Sequence, residues 1–168
     1  EEIGLYAFQN CVNLKTVNVN DALGVVSAGA FKGCVSLESM DFSESTLATI
    51  GYEAFSDCLA LNEVKLCETI SEIGDYAFQN CSVLKYLNST TDGLFNIPDG
   101  VAEIKQYTFK GCDEMTKVTI PANVTSIGNY AFSYCSSLTS IEIPDGVTSI
   151  GAGAFSDCYS LTSIEIPH

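Results

Sequence analysis

The sequence contains no arginine and no tryptophan, and its only histidine is the last residue, His168. Seven lysines stand against 21 acidic residues, which gives a formal net charge of −14. A surface of this sign repels phosphate backbones and anionic lipids, so nucleic-acid binding is excluded as a function. The acidity favours solubility or, alternatively, a preference for basic partners or divalent cations.

Long apolar runs are also missing, so no segment of the chain is expected to insert into a membrane. With one terminal histidine, no Ser-His-Asp or Cys-His arrangement can form, and no phosphate-binding loop or metal-binding helix motif occurs. We therefore predict no catalytic residue, no metal site and no cofactor. A chance pair of carboxylates leaves a carbohydrate-active enzyme as a remote alternative. The chain begins at Glu1 rather than methionine, and we expect it to be part of a longer protein.

One repeat of about 23 residues accounts for the whole chain, residues 1–168. Phenylalanines recur at spacings of 23, 24, 23, 31, 23 and 23, at Phe8, Phe31, Phe55, Phe78, Phe109, Phe132 and Phe155. A cysteine follows each of them by three residues, at Cys11, Cys34, Cys58, Cys81, Cys112, Cys135 and Cys158. A leucine, or Met115 in the fifth copy, comes three residues later. Such periodicity predicts a solenoid of about seven stacked coils, because one coil cannot bury its own apolar faces.

The best-preserved copy, residues 147–167, defines the parts of a coil. Residues 161–166 follow the L-x-x-L-x-L pattern of leucine-rich repeats, and Ile164 and Ile166 have the alternation of a short strand. Pro167 ends that strand, and a Val-x-x-Ile-Gly segment predicts a second, weaker one. Apolar spacings of three around Phe155 predict a helical or 3₁₀ turn. The expected fold is an α/β-type, right-handed arc with a concave parallel sheet and short helical or 3₁₀ turns on the convex side.

The repeats resemble the BspA-like, or Treponema pallidum-type, leucine-rich repeats. The resemblance rests on the Ala-Phe-x-x-Cys core and the Leu-x-x-Ile-x-Ile-Pro strand, matched along essentially the whole chain. It implies a surface-exposed or secreted protein linked to adhesion, with a protein or glycoprotein ligand such as host extracellular matrix or another cell surface. It supplies no catalytic residue.

Eight cysteines suggest disulfides or a metal site, but the spacing argues against both. Equivalent side chains of stacked coils run parallel at about 5 Å, whereas a disulfide needs Cβ atoms about 3.8 Å apart with converging bonds. We therefore expect the seven in-register cysteines to form a buried ladder of free thiols in the turns. Cys67 stands outside the ladder, and we expect it to be exposed.

The residues that alternate with the buried strand positions are the predicted binding surface on the concave face. They are Thr16, Asn18, Ser39, Asp41, Glu63, Lys65, Lys117, Thr119, Ser140, Glu142, Ser163 and Glu165. In the fourth coil, eight extra residues near 86–93 leave two possibilities, Tyr86 with Asn88 or Leu94 with Asn96.

An insertion of this kind must protrude from the solenoid as a surface loop, and surface loops often carry binding residues. The predicted function is protein binding or adhesion through the concave face and the insertion. The alternative is a structural spacer, which the uniform Ser and Glu positions of the last two coils favour. Neither end has a polar capping repeat, so end-to-end self-association is also expected.

Overall fold

The computed structural model describes residues 1–88 and 95–166. Its strands follow the chain as β1 (Glu2–Ile3), β2 (Val25–Val26), β3 (Ser39–Asp41), β4 (Thr49–Ile50), β5 (Glu63–Lys65), β6 (Glu72–Ile73), β7 (Tyr86–Leu87), β8 (Phe95–Asn96), β9 (Glu103–Ile104), β10 (Lys117–Thr119), β11 (Ser126–Ile127), β12 (Ser140–Glu142), β13 (Ser149–Ile150) and β14 (Ser163–Glu165). We number the coils 1 to 7 by their repeated phenylalanines, from Phe8 to Phe155.

Every strand pair is parallel, and each coil pairs with its neighbours in register. The longer strands form a main sheet in two parts, β3-β5-β7 and β8-β10-β12-β14. The other two-residue strands, apart from β7 and β8 of the main sheet, form a second sheet, also in two parts, β1-β2-β4-β6 and β9-β11-β13. In the main sheet the middle residue of each strand points into the core, as Met40, Val64 and Ile141 do, because alternate side chains of a strand face opposite sides. The predicted second strand is thus present.

Coil 1 departs from the predicted pattern because residues 16–19 form no strand. Only one main-chain hydrogen bond joins this stretch to coil 2, from the Glu38 N–H to the Lys15 carbonyl at 3.1 Å. Thr16 and Asn18 are exposed, as an outward position requires, but no ladder holds them. The prediction of a strand here was wrong, because residues 16–19 make no ladder of hydrogen bonds with β3, unlike β14 at the other end, which pairs with β12.

The predicted helical or 3₁₀ turns are wrong as well, because no helix forms within the described residues. In every coil the residues two before and two after the phenylalanine have a positive φ, for example Gly29 at 62° and Gly33 at 72°. Such left-handed residues end a right-handed helix at each occurrence. Around Phe31, N–H groups alternate between a carbonyl three residues back and a carbonyl of the next coil. The segment is therefore a series of tight turns that bonds coil to coil.

The core of the solenoid is a stack of the repeated phenylalanine rings. Successive rings lie 5.2–5.8 Å apart between centroids and within 20° of parallel. Phe31, Phe55, Phe78 and Phe132 are completely buried, and Phe109 nearly so. No helix in the described residues is long and apolar enough to cross a membrane.

The two sheets are interrupted close to each other, the second sheet between coils 4 and 5 (β6 and β9) and the main sheet within coil 4 (β7 and β8). In coils 4 and 6 the corner glycine donates its N–H to the preceding coil, as Gly128 does to the Ile104 carbonyl at 2.7 Å. Lys105 holds that position in coil 5, and among the described residues its N–H makes no such bond to Ile73. An ion pair from Lys105 to Glu72 spans the gap instead.

The turn side, by contrast, is continuous across this junction. The Phe78 N–H donates to the Thr108 carbonyl at 2.9 Å, and the Phe78 and Phe109 rings still stack at 5.8 Å. Coils 4 and 5 are therefore joined along the turn side and by the pairing of β8 with β10, while the second sheet is open between them.

Candidate functional site

The outer face of the main sheet carries most of the predicted binding residues. Within the strands, the exposed ones are Ser39, Asp41, Lys65, Lys117, Thr119, Ser140, Glu142, Ser163 and Glu165. Glu63 is half-buried. These side chains form two rows because the strands pair in register, for example Ser140 beside Ser163 and Glu142 beside Glu165. The strand geometry thus brings them together on one polar surface.

The fourth coil uses both of the predicted alternatives, since it contributes two short strands to the main sheet. Tyr86 lies beside Glu63 in β5, and Asn96 lies beside Thr119 in β10. Leu87 and Phe95 therefore both occupy the inward position of this coil, and both are buried. The insertion separates the two strands, and its residues 89–93, together with Leu94, lie outside the described residues.

A cleft of about 740 Å³ lies where the split strands end. We call it the first groove; its lining includes Leu66, Cys67, Glu68, Asn88, Asn96, Ile97, Pro98 and Asp99. Asn88 bridges its walls, because its side-chain oxygen accepts from the Leu66 N–H at 3.3 Å and its carbonyl accepts from the Asn96 amide at 3.4 Å. This hydrogen bond joins Asn88 and Asn96, which were alternatives in the sequence-based prediction.

A second groove of about 710 Å³ follows β10 and β12. Lys117, Ser140 and Glu142 line it together with Ile143, Pro144 and Asp145. Thr119 lines both grooves. The polar face is thus bordered by a pair of concave sites at the C-terminal ends of its strands.

Cys67, which we expected to be exposed, is buried at the base of the first groove, with 6% of its surface exposed. Its thiol donates to the Leu47 carbonyl at 3.2 Å and hydrogen bonds with Thr69 at 3.1 Å. Burial raises the pKa of Cys67, but hydrogen bonds with Thr69 and Ser45 oppose it and leave that pKa below its ordinary value. The expectation failed because the thiol packs against the preceding coil, where it contacts the Ser45 hydroxyl and the Leu47 carbonyl.

The seven in-register cysteines are free thiols, and all except Cys11 are buried. Each buried thiol donates to the phenylalanine carbonyl of the preceding coil, as Cys58 does to Phe31 at 3.2 Å. Cys11, in coil 1, is exposed. Burial is the main cause that raises the pKa of the thiols of Cys34, Cys58, Cys81, Cys112, Cys135 and Cys158.

Alkaline pH is expected to destabilise the fold through these thiols. Unfolded thiols ionise near their ordinary pKa of 9.0, while the folded state keeps the proton, so the stabilisation is complete below pH 9 and is lost as the pH rises above it. The loss is at most about 1.4 kcal/mol per thiol per pH unit. Urea unfolding at about pH 8 and pH 10 measures it, and Cys112→Ser should flatten the dependence. Equal stability at both pH values would contradict the prediction.

Sequence reasoning missed a row of tyrosines on the turn side. The rings of Tyr76 and Tyr107 stack at 4.5 Å, those of Tyr107 and Tyr130 stack at 5.1 Å, and Tyr52 meets Tyr76 edge-on at 5.5 Å. The stacked tyrosine rings cover one another's faces, so the row stabilises the turns by packing, while the edges of the rings stay exposed. Tyrosine two residues before the phenylalanine in four of the copies was the available signal.

No group of three or more His, Cys, Asp and Glu residues able to hold a metal ion occurs within residues 1–88 and 95–166. His168 lies outside the described residues. The outer face of the main sheet is a polar surface bordered by two grooves.

The chain is similar to known leucine-rich repeat proteins in both sequence and structure. A model of the BspA type leucine-rich repeat region matches residues 1–98 and 93–168, with six copies. The chain is similar to a leucine-rich repeat protein of Bacteroides ovatus, with 40% identity and a TM-score of 0.65 over 72% of this chain and 29% of that one.

A leucine-rich repeat protein of T. pallidum is 28% identical, with a TM-score of 0.70 over 85% of this chain and 63% of that one. A leucine-rich repeat protein from Eubacterium ventriosum is 25% identical, with a TM-score of 0.57 over 84% of this chain and 42% of that one. The chain thus spans less than two thirds of these relatives. No curated protein matches it.

Proposed function

Because the chain belongs to the BspA-type leucine-rich repeat family, we propose that it is a non-enzymatic binding module of a cell-surface or secreted protein. Its ligand would be a protein or glycoprotein, such as host extracellular matrix or a component of another cell surface. The main-sheet face would make the contact. Repeat scaffolds commonly bind through extended faces of this kind.

The observation that carries this proposal is the split of the main sheet at coil 4. The split adds Tyr86, Asn88 and Asn96 to rows that otherwise hold Ser, Thr, Asp, Glu and Lys, and it opens the first groove beside them. Tyrosine is a common anchor of protein interfaces, and loops that interrupt a rigid scaffold often carry binding. A solenoid without a binding role needs neither feature.

A spacer is the second candidate, favoured by the repetition in coils 6 and 7. There the outward positions are Ser and Glu in both strands, with Ser140 beside Ser163 and Glu142 beside Glu165. Self-association is supported separately by apolar side chains exposed at the two ends, among them Leu5 and Ile166. A second copy stacked end to end would cover them.

Adhesion of protein-coated beads to immobilised basement-membrane extract tests binding against the spacer role. We expect beads carrying this chain to adhere, and Thr119→Gln with Ser140→Gln on the main sheet to reduce adhesion at least about fivefold by steric obstruction. The matched control is Thr148→Gln with Ser149→Gln on the exposed second sheet, which should adhere normally. Equal adhesion of both variants would exclude the main-sheet face, and no adhesion by the unmodified chain would favour the spacer.

A further inference from the structure

The two grooves of the main sheet share one arrangement of residues at the ends of their strands. Each has a floor of apolar strand-end residues followed by a proline, Ile97 with Pro98 in the first and Ile143 with Pro144 in the second. Each floor is bordered by the carboxylate of the turn that follows, Asp99 or Asp145. An apolar floor with a carboxylate at its edge matches a lysine or arginine side chain, whose methylene stem packs on apolar surface while its charge stays near water.

The carboxylates at these edges are exposed and have no lysine partner. The ion pairs of the described residues join Lys15 to Glu38, Lys32 to Glu53, Lys65 to Asp41 and Lys105 to Glu72, and none includes Asp99 or Asp145. Glu68 adds a second exposed carboxylate to the first groove, and Glu142 adds one to the second.

The second groove also contains a like-charge contact. Glu142 lies directly beside Glu165 in the parallel ladder of β12 and β14. Like charges directly opposite each other on a sheet destabilise it, and a cation bound between them would relieve the repulsion. Lys117 also lines the second groove, but its charge is exceeded by the two carboxylates of Glu142 and Asp145, so the net charge of the groove is complementary to a cationic ligand.

The distance between the two grooves indicates which backbone conformation a cationic ligand would need. Asp99 follows β8 and Asp145 follows β12, which are separated by β10 in one continuous sheet, while the intervening turn carries Ala122. Two strand steps of about 4.8 Å place equivalent positions roughly 9.6 Å apart. A polyproline II helix repeats every three residues at about 3.1 Å per residue, so side chains three apart lie on one side at about 9.3 Å.

We propose that the main-sheet face binds an extended cationic segment of a protein partner, in polyproline II conformation, with lysine or arginine at every third position. One cationic side chain occupies the first groove, beside Asp99 and Glu68. The next occupies the second groove, beside Asp145 and Glu142. The inference rests on the proposed function, since it names the class of partner that the same face would take.

The test compares two fluorescent peptides of equal composition for binding to the intact chain at physiological salt. One repeats Lys-Pro-Pro, and the other groups its lysines at one end. We expect the repeating peptide to bind at least about fivefold more tightly, because only it presents one cation to each groove. Equal affinities would overturn the proposal, since they would mean attraction to net charge alone.

Two charge-matched variants complete the test. Asp99→Asn with Asp145→Asn should weaken the repeating peptide about tenfold, whereas Glu103→Gln with Glu114→Gln, which removes two exposed carboxylates away from the grooves, should weaken it less than about twofold. Equal losses would overturn the proposal. Circular dichroism confirms that each variant is folded. If adhesion to basement-membrane extract persists while the peptides are not distinguished, this inference fails and the proposed function stands.

Discussion

Replacing Phe109 by alanine is expected to separate the unfolding of coils 5–7 from that of coils 1–4. Phe109 stacks on Phe78 and Phe132 at 5.8 and 5.6 Å and meets Phe95 edge-on at 5.2 Å. Truncating a buried phenylalanine costs about 3–5 kcal/mol. In a solenoid, cooperativity depends on the interfaces between neighbouring coils. Phe109 lies at the junction where the second sheet is open, next to the break of the main sheet between β7 and β8.

Urea unfolding followed by hydrogen–deuterium exchange would resolve the two parts of the chain. In Phe109→Ala, amides of residues 109–135 should lose protection at a lower urea concentration than amides of residues 31–58. Phe31→Ala is the matched control, because Phe31 is equally buried and stacked but lies where the second sheet is continuous. It should lose similar stability, yet unfold in a single transition. Coincident loss of protection in Phe109→Ala would show that the junction is not weak.

Gly128→Ala is expected to destabilise the protein by about 3 kcal/mol, through a clash rather than through backbone freedom. A Cβ at Gly128 would lie 2.5 Å from the Gln106 nitrogen and 2.7 Å from the Lys105 carbonyl carbon. Both contacts are with backbone of the preceding coil, so no side chain can rotate away. Coils 5 and 6 would have to move apart at β9 and β11.

Thermal unfolding measures the effect, with an expected fall in Tm of roughly 6–12 °C for a domain of this size. Gly4→Ala is the matched control, because Gly4 holds the same place in coil 1 and a Cβ there would meet nothing within 4 Å. Its Tm should stay within about 2 °C of the unmodified protein. A similar fall in both variants would point to a general cost of losing glycine and would contradict the clash.

The binding surface was only partly predictable. Alternation along the strands identified Ser140, Glu142 and Lys117 as outward residues, because strand side chains alternate whatever their neighbours are. The grooves could not be predicted, because each combines residues of different coils, such as Leu66 with Pro98. The sequence also left open which part of coil 4 forms a strand. Pairing with β5 on one side and β10 on the other allows both parts to do so.

The sequence by itself determined the number of coils, the inward residues and the positions of the stacked phenylalanines, since repetition forces each apolar face against an equivalent neighbour. Only the tertiary structure decided the form of the turns, the burial of Cys67, the break of the second sheet beside Lys105 and the break of the main sheet between β7 and β8. Apolar spacings of three suit a helix, yet left-handed residues such as Asn80 and Asp57 replace it. Their cost is offset by bonds to the next coil, such as that from the Asn80 N–H to the Lys110 carbonyl. Those bonds join residues about 30 positions apart, and no local pattern records them.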